Sequence, residues 1–270
     1  MGRVFTFEEV KASRTPGLSA FDEVAAESCR LLVPAKRVVC ALFCGSVVSG
    51  SVTVRSDFDM VAVYLGKKQP SEFQQLHEFA AARHVPLELI PIDKRVAGRA
   101  DATMVTPFFW CHLKLAARKG GVIKGDPLSW IVPRAGIEDE QGEYADIKIA
   151  RLEKWWPALG VMSEAELCRA LQKALEAPVH AARKFVIERS GELELQDDSK
   201  SWVIEGFRQH ATRKEQGLLG RAMKPDESYS LALDEQLRNP DELSYRHMVR
   251  KTAEEAFPVT LELLKSLAAV

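Results

Sequence analysis

Two aspartates flank a phenylalanine where an apolar run begins, as Asp57-Phe58-Asp59. Side chains of a β-strand alternate between its two faces, so Asp57 and Asp59 would share one face, about 6–7 Å apart along the chain. Two carboxylates at that separation repel each other unless they share a proton or bind a cation. Carboxylate oxygens are ligands that Mg²⁺ prefers, together with water and substrate phosphates. The pair therefore predicts a magnesium site.

A glycine–serine pair lies upstream, separated from Asp57 by ten residues. An apolar run over residues 37–43 leads into Gly45 and Ser46. Gly45 has no Cβ, so a phosphate can approach the backbone closely. Ser46 offers a hydroxyl and a backbone N–H at the predicted start of a short helix, where anions bind. A phosphate-binding turn beside a metal-binding carboxylate pair is typical of nucleotidyl transfer from a nucleoside triphosphate.

The residues between this pair and Asp57 include Ser51 and Arg55, which are near enough in sequence to contact phosphates. Arg55 fits an exposed loop residue equally well. Each feature taken alone also has a structural interpretation, because Asp-x-Asp often marks a solvated loop-to-strand junction and Gly-Ser is a common turn. Their combination, with apolar strands on both sides, favours the catalytic interpretation.

A third acidic residue, Glu88, interrupts the apolar run of residues 85–92. A glutamate inside such a run loses hydration unless it meets a cation or lies at the edge of a sheet. Glu88 is therefore predicted either to complete the metal site or to accept a proton from an attacking hydroxyl. The sequence leaves both roles open, together with that of a plain edge residue.

The arrangement Gly45-Ser46, ten residues, then Asp57-Phe58-Asp59-Met60 resembles the signature of the polymerase-β-type nucleotidyltransferase superfamily. Members of that superfamily carry a third carboxylate on a later strand, where Glu88 stands here. The resemblance implies that the two aspartates and Glu88 are the catalytic residues and metal ligands. It further implies one or two Mg²⁺ ions as cofactor and a nucleoside triphosphate, expected to be ATP, as co-substrate.

The helical second half resembles that of the antibiotic nucleotidyltransferases of the aminoglycoside and lincosamide types. In the aminoglycoside enzymes an arginine and a lysine from this half contact the nucleotide. Arg183 and Lys200 are similar to that pair at a longer spacing, although each also fits a solvated surface position. The resemblance beyond residue 100 is one of pattern, so it does not carry over the identity of the acceptor.

Periodicity divides the chain near residue 100. Strands are predicted over 37–43, 58–65 and 85–92, and helices over 18–33, 71–83, 101–119, 143–156, 163–189, 198–216 and 241–268. This order predicts an α+β fold, in which a small mixed-sheet nucleotidyltransferase core at residues 1–100 precedes a helical bundle domain at residues 101–270.

Composition narrows the class of protein. The 270 residues carry 37 Lys and Arg against 38 Asp and Glu, a formal net charge of −1, which gives no global attraction to nucleic acid or membranes. A basic stretch over residues 208–224 could contact RNA, or it forms an ordinary solvated face. Five cysteines without a C-x-x-C pair, and the absence of a long apolar segment, predict a cytoplasmic protein without a membrane span.

Three functions are compatible with these residues. The first, which is preferred, is transfer of AMP to a hydroxylated small molecule such as an antibiotic. The second is transfer to a protein side chain or to the end of a tRNA, as in toxin–antitoxin relatives. The third is a non-catalytic nucleotide-binding protein, which would have no physical need for three clustered carboxylates. The layout is also compatible with a homodimer.

Overall fold

In the computed structural model of the chain, the residues described are 2–95, 105–131, 133, 140–191, 195, 197 and 199–268. Within these ranges the chain forms four β-strands and ten α-helices. The strands are β1 Val38–Phe43, β2 Phe58–Tyr64, β3 Leu87–Asp93 and β4 Val122–Lys124. The helices are α1 Phe7–Lys11, α2 Leu18–Leu32, α3 Gly45–Ser49, α4 Ser71–Ala81, α5 Pro107–Arg118, α6 Glu140–Trp155, α7 Glu164–Ser190, α8 Lys200–His210, α9 Arg213–Arg238 and α10 Glu242–Ala268. The predicted α+β class is confirmed.

The chain divides into two compact units, each assembled from more than one segment. The sheet unit comprises Thr15–Ile137 and Glu192–Ser199, and the helical unit comprises Met1–Arg14, Glu138–Gly191 and Lys200–Val270. The boundary predicted at residue 100 does not coincide with this division. The reason is that α5 and β4, which follow residue 100, pack on and pair with β1, while the first residues of the chain pack with the C-terminal helices.

The sheet has the strand order β3-β2-β1-β4. Strand β1 is antiparallel to both β2 and β4, whereas β2 and β3 are parallel, so the sheet is mixed as predicted. Strand β4 was not predicted, because three residues are too few for a period-two pattern to be detected. The β2–β3 connection runs through α4, as a parallel pair requires.

The two faces of the sheet carry separate apolar clusters. Phe58 and Met60 of β2 belong to the cluster that contains Phe21 of α2 and Phe73 of α4. Val61 of β2 instead belongs to the cluster that contains Leu113 of α5, as does Val63. The predicted alternation is therefore confirmed, and the side of β2 opposite to Phe58 is the side that α5 covers.

Two predicted helices differ from the structure. The helix predicted over 101–119 begins at Pro107, because the Thr106 hydroxyl accepts a hydrogen bond from the Phe109 N–H and caps it; residues 101–104 lie outside the described residues. The single helix predicted over 198–216 is wrong. The chain forms α8 and α9 there, since Thr212 and Glu215 make a reciprocal capping box that starts a new helix. No helix in the described ranges is long and apolar enough to cross a membrane.

The core of the helical unit holds the N-terminal segment through a buried hydroxyl network. Tyr245 of α10 donates a hydrogen bond of 2.5 Å to the Phe5 carbonyl, and the Tyr229 hydroxyl of α9 accepts one of 3.3 Å from the Phe5 N–H. The two tyrosine hydroxyls lie 3.2 Å apart. All three residues are fully buried. Both backbone polar groups of Phe5 are thereby satisfied without a strand or helix.

We expect Tyr245→Phe to lower the free energy of unfolding by about 1–3 kcal/mol, because it removes a donor from a buried carbonyl. Urea unfolding followed by circular dichroism measures the change. The matched control is Tyr144→Phe on α6, whose hydroxyl is buried and has no hydrogen-bond partner among the described residues, so its removal should be neutral or stabilising. Equal destabilisation by the two substitutions would contradict a structural role for the network.

Candidate active site

Gly45 and Asp59 are in direct contact at the end of β1. A Cβ built on Gly45 would lie 2.5 Å from Asp59 Oδ2, well inside van der Waals distance. Gly45 has φ +63°, a left-handed conformation that glycine adopts without strain. Next to it, the Cys44 N–H donates to the Asp59 carbonyl over 2.9 Å. The glycine of the predicted turn and the second aspartate of the predicted pair are therefore brought together.

Glu88 is the register partner of Asp59 on the neighbouring strand. The pairing of β2 with β3 places the Cα atoms of Asp59 and Glu88 opposite each other. Neighbouring strands lie about 4.8 Å apart, and register partners present their side chains on the same face of a sheet. That face is the one with Val61 and Ile90. Because β3 is at the edge of the sheet, Glu88 is exposed, as the edge interpretation of this residue requires.

Asp57 lies one residue before β2 and is half-buried, as is Asp59. The loop that leads to it is fixed by a turn between Thr53 and Ser56. The Ser56 N–H donates to the Thr53 carbonyl over 2.9 Å, and the Thr53 N–H donates to the Ser56 hydroxyl over 2.9 Å. Ser56 is itself buried. This closed turn determines where β2 begins, and so positions the first aspartate.

The remaining candidates of this loop have different environments. Ser46 lies in the first turn of α3, and its carbonyl accepts hydrogen bonds from the N–H groups of Gly50 and Ser51. The Ser46 side chain itself takes part in no hydrogen bond among the described residues. Ser51 is exposed, whereas Arg55 is only 6% exposed. The exposed-loop interpretation of Arg55 is therefore wrong.

Cys44 is a neighbour of the site that the sequence pattern did not single out. It is buried between β1 and α3, and burial, followed by the charge of Asp59, raises the pKa of its thiol to about 12. A thiol held neutral in this way adds no charge beside the carboxylate. The signal in the sequence was only its position directly before Gly45.

Gly121 supports the same end of β1 from the other side. Its carbonyl accepts a hydrogen bond of 2.8 Å from the Phe43 N–H, and a Cβ at this position would lie 2.6 Å from the Phe43 carbonyl oxygen. Only a glycine lets the segment before β4 approach β1 so closely. This supporting role of Gly121 was not predicted from the sequence.

Asp57 and Asp59 fit a magnesium ion whose remaining ligands are water and substrate oxygens. Within the part of the chain that the structure describes, no three His, Cys, Asp or Glu side chains are grouped so that they could hold a metal ion. Mg²⁺ is commonly bound by one or two carboxylates and completes its octahedron with water and phosphate oxygens. The half-buried pair Asp57 and Asp59 supplies such a set, and Glu88 as a third ligand stays a prediction.

Arg183 and Lys200 belong to the helical unit. Arg183 is half-buried on α7. Lys200 is the first residue of α8, and its ammonium group lies 3.3 Å from a carboxylate oxygen of Glu227 on α9. Their contact with a nucleotide stays a prediction.

Comparison of the chain with protein-family models gives no match, and comparison with curated protein sequences gives none either. The resemblance to the nucleotidyltransferases therefore stays a prediction from the motif residues.

Proposed function

We propose that the chain catalyses the Mg²⁺-dependent transfer of a nucleoside monophosphate, AMP from ATP, to a hydroxyl group of a small molecule. The observation that carries the proposal is the meeting of Gly45, Asp59 and Glu88. Asp59 Oδ2 lies against the Cα of Gly45, and Asp59 is the register partner of Glu88. Asp59, the proposed metal ligand on β2, thus lies between the Gly45 backbone that follows β1 and the strand β3 that carries Glu88, the candidate base.

The chemistry follows from these positions. Asp57 and Asp59 would hold the metal ion. The bound ion would neutralise the negative charge that develops on the phosphates and on the leaving pyrophosphate. The backbone at Gly45 and the Ser46 hydroxyl would bind phosphate oxygens. The acceptor oxygen then forms a bond to the α-phosphorus as the bond to pyrophosphate breaks, and Glu88, where it is not a metal ligand, would take the proton of the acceptor hydroxyl. Arg55, buried in the loop before Asp57, would support this arrangement from the protein side.

A small acceptor is favoured by the charge balance of the chain. The formal net charge of −1 supplies no general attraction for an RNA acceptor. Transfer to a protein side chain or to the end of a tRNA would use the same nucleotide and metal chemistry. The experiment that tests the function therefore has to separate small-molecule, protein and RNA acceptors.

The experiment supplies each of the four α-³²P-labelled nucleoside triphosphates with Mg²⁺ to the wild-type chain and to Asp59→Asn. A bacterial lysate, separated into small-molecule, protein and RNA fractions, provides the acceptors, and an antibiotic panel is added as a further fraction. We expect label from ATP in a small-molecule fraction with wild type only. Label in the protein or RNA fraction would show that the acceptor is a protein or an RNA instead. No label in any fraction from folded protein would contradict transferase activity.

Glu88→Gln is expected to lower the transfer rate by about 10²-fold or more, because the amide can neither accept the proton nor bind a cation as a carboxylate does. Turnover measured against Mg²⁺ concentration separates the two roles of Glu88. A base gives a lower maximal rate at an unchanged Mg²⁺ requirement, whereas a ligand gives a raised requirement. If Glu88→Gln kept the wild-type rate, Glu88 would be an edge residue of the sheet without a role in catalysis or metal binding.

A further inference from the structure

Four cationic side chains gather at the end of the sheet that is opposite to the candidate active site. Strand β1 is antiparallel to β2, and Val38 is the register partner of Tyr64, so the start of β1 and the end of β2 meet at one edge. The Leu65 N–H extends this pairing, since it donates to the Arg37 carbonyl over 2.7 Å. The residues that directly precede β1 and closely follow β2, called the cationic edge below, are Lys36, Arg37, Lys67 and Lys68.

Arg37 holds the turn that carries the two lysines after β2. Its Nε atom donates to the Leu65 carbonyl over 3.0 Å, and a terminal nitrogen of its guanidinium group donates to the Lys68 carbonyl. Gly66 has φ +110°, and a Cβ at this position would lie 2.8 Å from the guanidinium group. A glycine therefore lets Arg37 pack against the turn. The lysines are thus presented from a backbone that hydrogen bonds hold in place.

The lysines of the cationic edge have no acidic partners among the described residues. Lys36, Lys67 and Lys68 are exposed, and within the described ranges none of them forms an ion pair. Like charges that lie close together repel each other. The packing of the sheet requires the Arg37 guanidinium group, but none of these three ammonium groups. An anionic partner would relieve the repulsion and use all three.

Few carboxylates lie in the segments around this edge. Asp93 at the end of β3 is the register partner of Tyr64, and its carboxylate accepts a hydrogen bond of 2.9 Å from the Nε atom of Arg95, so the two charges offset each other. Glu72 in the first turn of α4 adds a single negative charge. The edge therefore keeps a local positive charge, although the chain as a whole has a formal net charge of −1.

We propose that the cationic edge binds the phosphate backbone of a nucleic acid strand. Each phosphate carries one negative charge, and lysines bind phosphates as point charges without reading the sequence of bases. Recognition of carboxylates on an acidic protein favours an arginine with a free planar face of donors, whereas Arg37 already donates to two carbonyls of the turn.

The apolar neighbours of the edge argue against a lipid surface as the partner. Val33 and Leu65 are 48% and 41% exposed. Surfaces that insert into a bilayer present a broad apolar face with large side chains such as Trp, Phe and Leu. Two half-covered side chains form no such face, so the charge is the main feature of this edge.

The proposal is independent of the proposed function. Strand β1 runs from the cationic edge to Gly45, which places the two about 20 Å apart at a rise of 3.3 Å per residue. Binding at the edge needs neither Mg²⁺ nor the carboxylate of Asp59.

The test measures binding of a fluorescent single-stranded RNA of about 15 nucleotides to the full-length chain by anisotropy, in EDTA and at low salt. The variant is the double substitution Lys67→Gln with Lys68→Gln. The matched control is Lys214→Gln with Lys224→Gln, which removes the same charge from exposed positions of α9 in the basic stretch over residues 208–224. All four lysines are exposed, so both variants should keep the wild-type Tm.

We expect the Lys67 and Lys68 variant to bind the RNA about tenfold more weakly or worse, and the α9 variant to bind as wild type does. The slope of log affinity against log salt concentration should become less steep by about 0.7 for each lysine that contacts a phosphate. Wild type that binds no RNA at low salt would overturn the proposal. Equal weakening in both variants would also overturn it, because net charge alone would then explain the binding.

The background Asp59→Asn and two competitors separate the remaining possibilities. RNA binding in EDTA should be the same in Asp59→Asn as in wild type, even where transfer activity is lost. Phosphatidylserine–phosphatidylcholine vesicles and polyglutamate, each at the same concentration of charge as the RNA, should not displace it. Displacement by the vesicles would assign the edge to a membrane and displacement by polyglutamate to an acidic protein, and either result would overturn the proposal.

Discussion

Asp59→Asn is expected to lower the rate of nucleotidyl transfer by about three orders of magnitude. The amide keeps the shape of the side chain beside Gly45, but it removes one of the negative charges that would hold the metal ion. A bound metal contributes several kcal/mol of transition-state stabilisation, and each 1.4 kcal/mol or so corresponds to a factor of ten in rate. Turnover of labelled ATP at saturating Mg²⁺ measures the effect.

The matched control for this substitution is Glu78→Gln, which removes one carboxylate on an exposed position of α4. Helix α4 packs on the face of the sheet opposite to Asp59. The Glu78 carboxylate accepts a hydrogen bond of 2.8 Å from the Gln74 side chain, and the amide oxygen of the introduced glutamine can still accept it. Glu78→Gln should retain wild-type turnover. If Asp59→Asn retained it as well, from protein with unchanged Tm, the proposed role of the two aspartates would be wrong.

The strands that carry the candidate site were predictable because their pattern is strong. Phe58 and Met60 alternate with Asp59 and Val61, and a period of two in a run bounded by turn residues leaves little alternative to a half-buried strand. The two apolar clusters on opposite faces of β2 confirm this interpretation. The local sequence therefore determined the direction of each side chain.

The register of β2 with β3 was not predictable from either strand alone. Each run permits several offsets, and a shift of two residues would preserve every face while separating Asp59 from Glu88. The observed offset depends on tertiary packing, in which α4 connects the two strands and lies on the face of the sheet that carries Phe58. The sequence thus indicated that a third carboxylate was available, and only the fold brings it beside the second.

Helix α9 was missed for a different physical reason. Its sequence contains Gly217, Gly220 and Pro225, which lower the intrinsic helix propensity. Buried packing of Leu218 and Met223 outweighs that cost in the folded unit. Local propensity therefore fails as a guide where tertiary contacts determine the helix, whereas the capping residues Thr212 and Glu215 were present in the sequence and mark its start.

Gly45→Ala is expected to lower turnover about 10²-fold and to reduce the free energy of unfolding by about 1–2 kcal/mol. Two separate effects contribute. The φ of +63° is unfavourable for any residue with a Cβ, which costs about 1–2 kcal/mol. The new Cβ would also lie 2.5 Å from Asp59 Oδ2, so the carboxylate must move away from its position. A displacement of the order of 1 Å in a reacting group is enough for the expected loss of rate.

Gly50→Ala separates the two effects, because Gly50 ends α3 with a similar φ of +69° but has no neighbouring atom within 4 Å of the place that a Cβ would occupy. It should lose stability to the same extent as Gly45→Ala and retain turnover. Urea unfolding and labelled-ATP turnover, measured on both variants, give the comparison. If the two variants lost turnover equally, backbone strain in α3 would account for the effect. If only Gly45→Ala lost it, the activity requires the space beside Gly45, which the Asp59 carboxylate borders and which a substrate phosphate would approach.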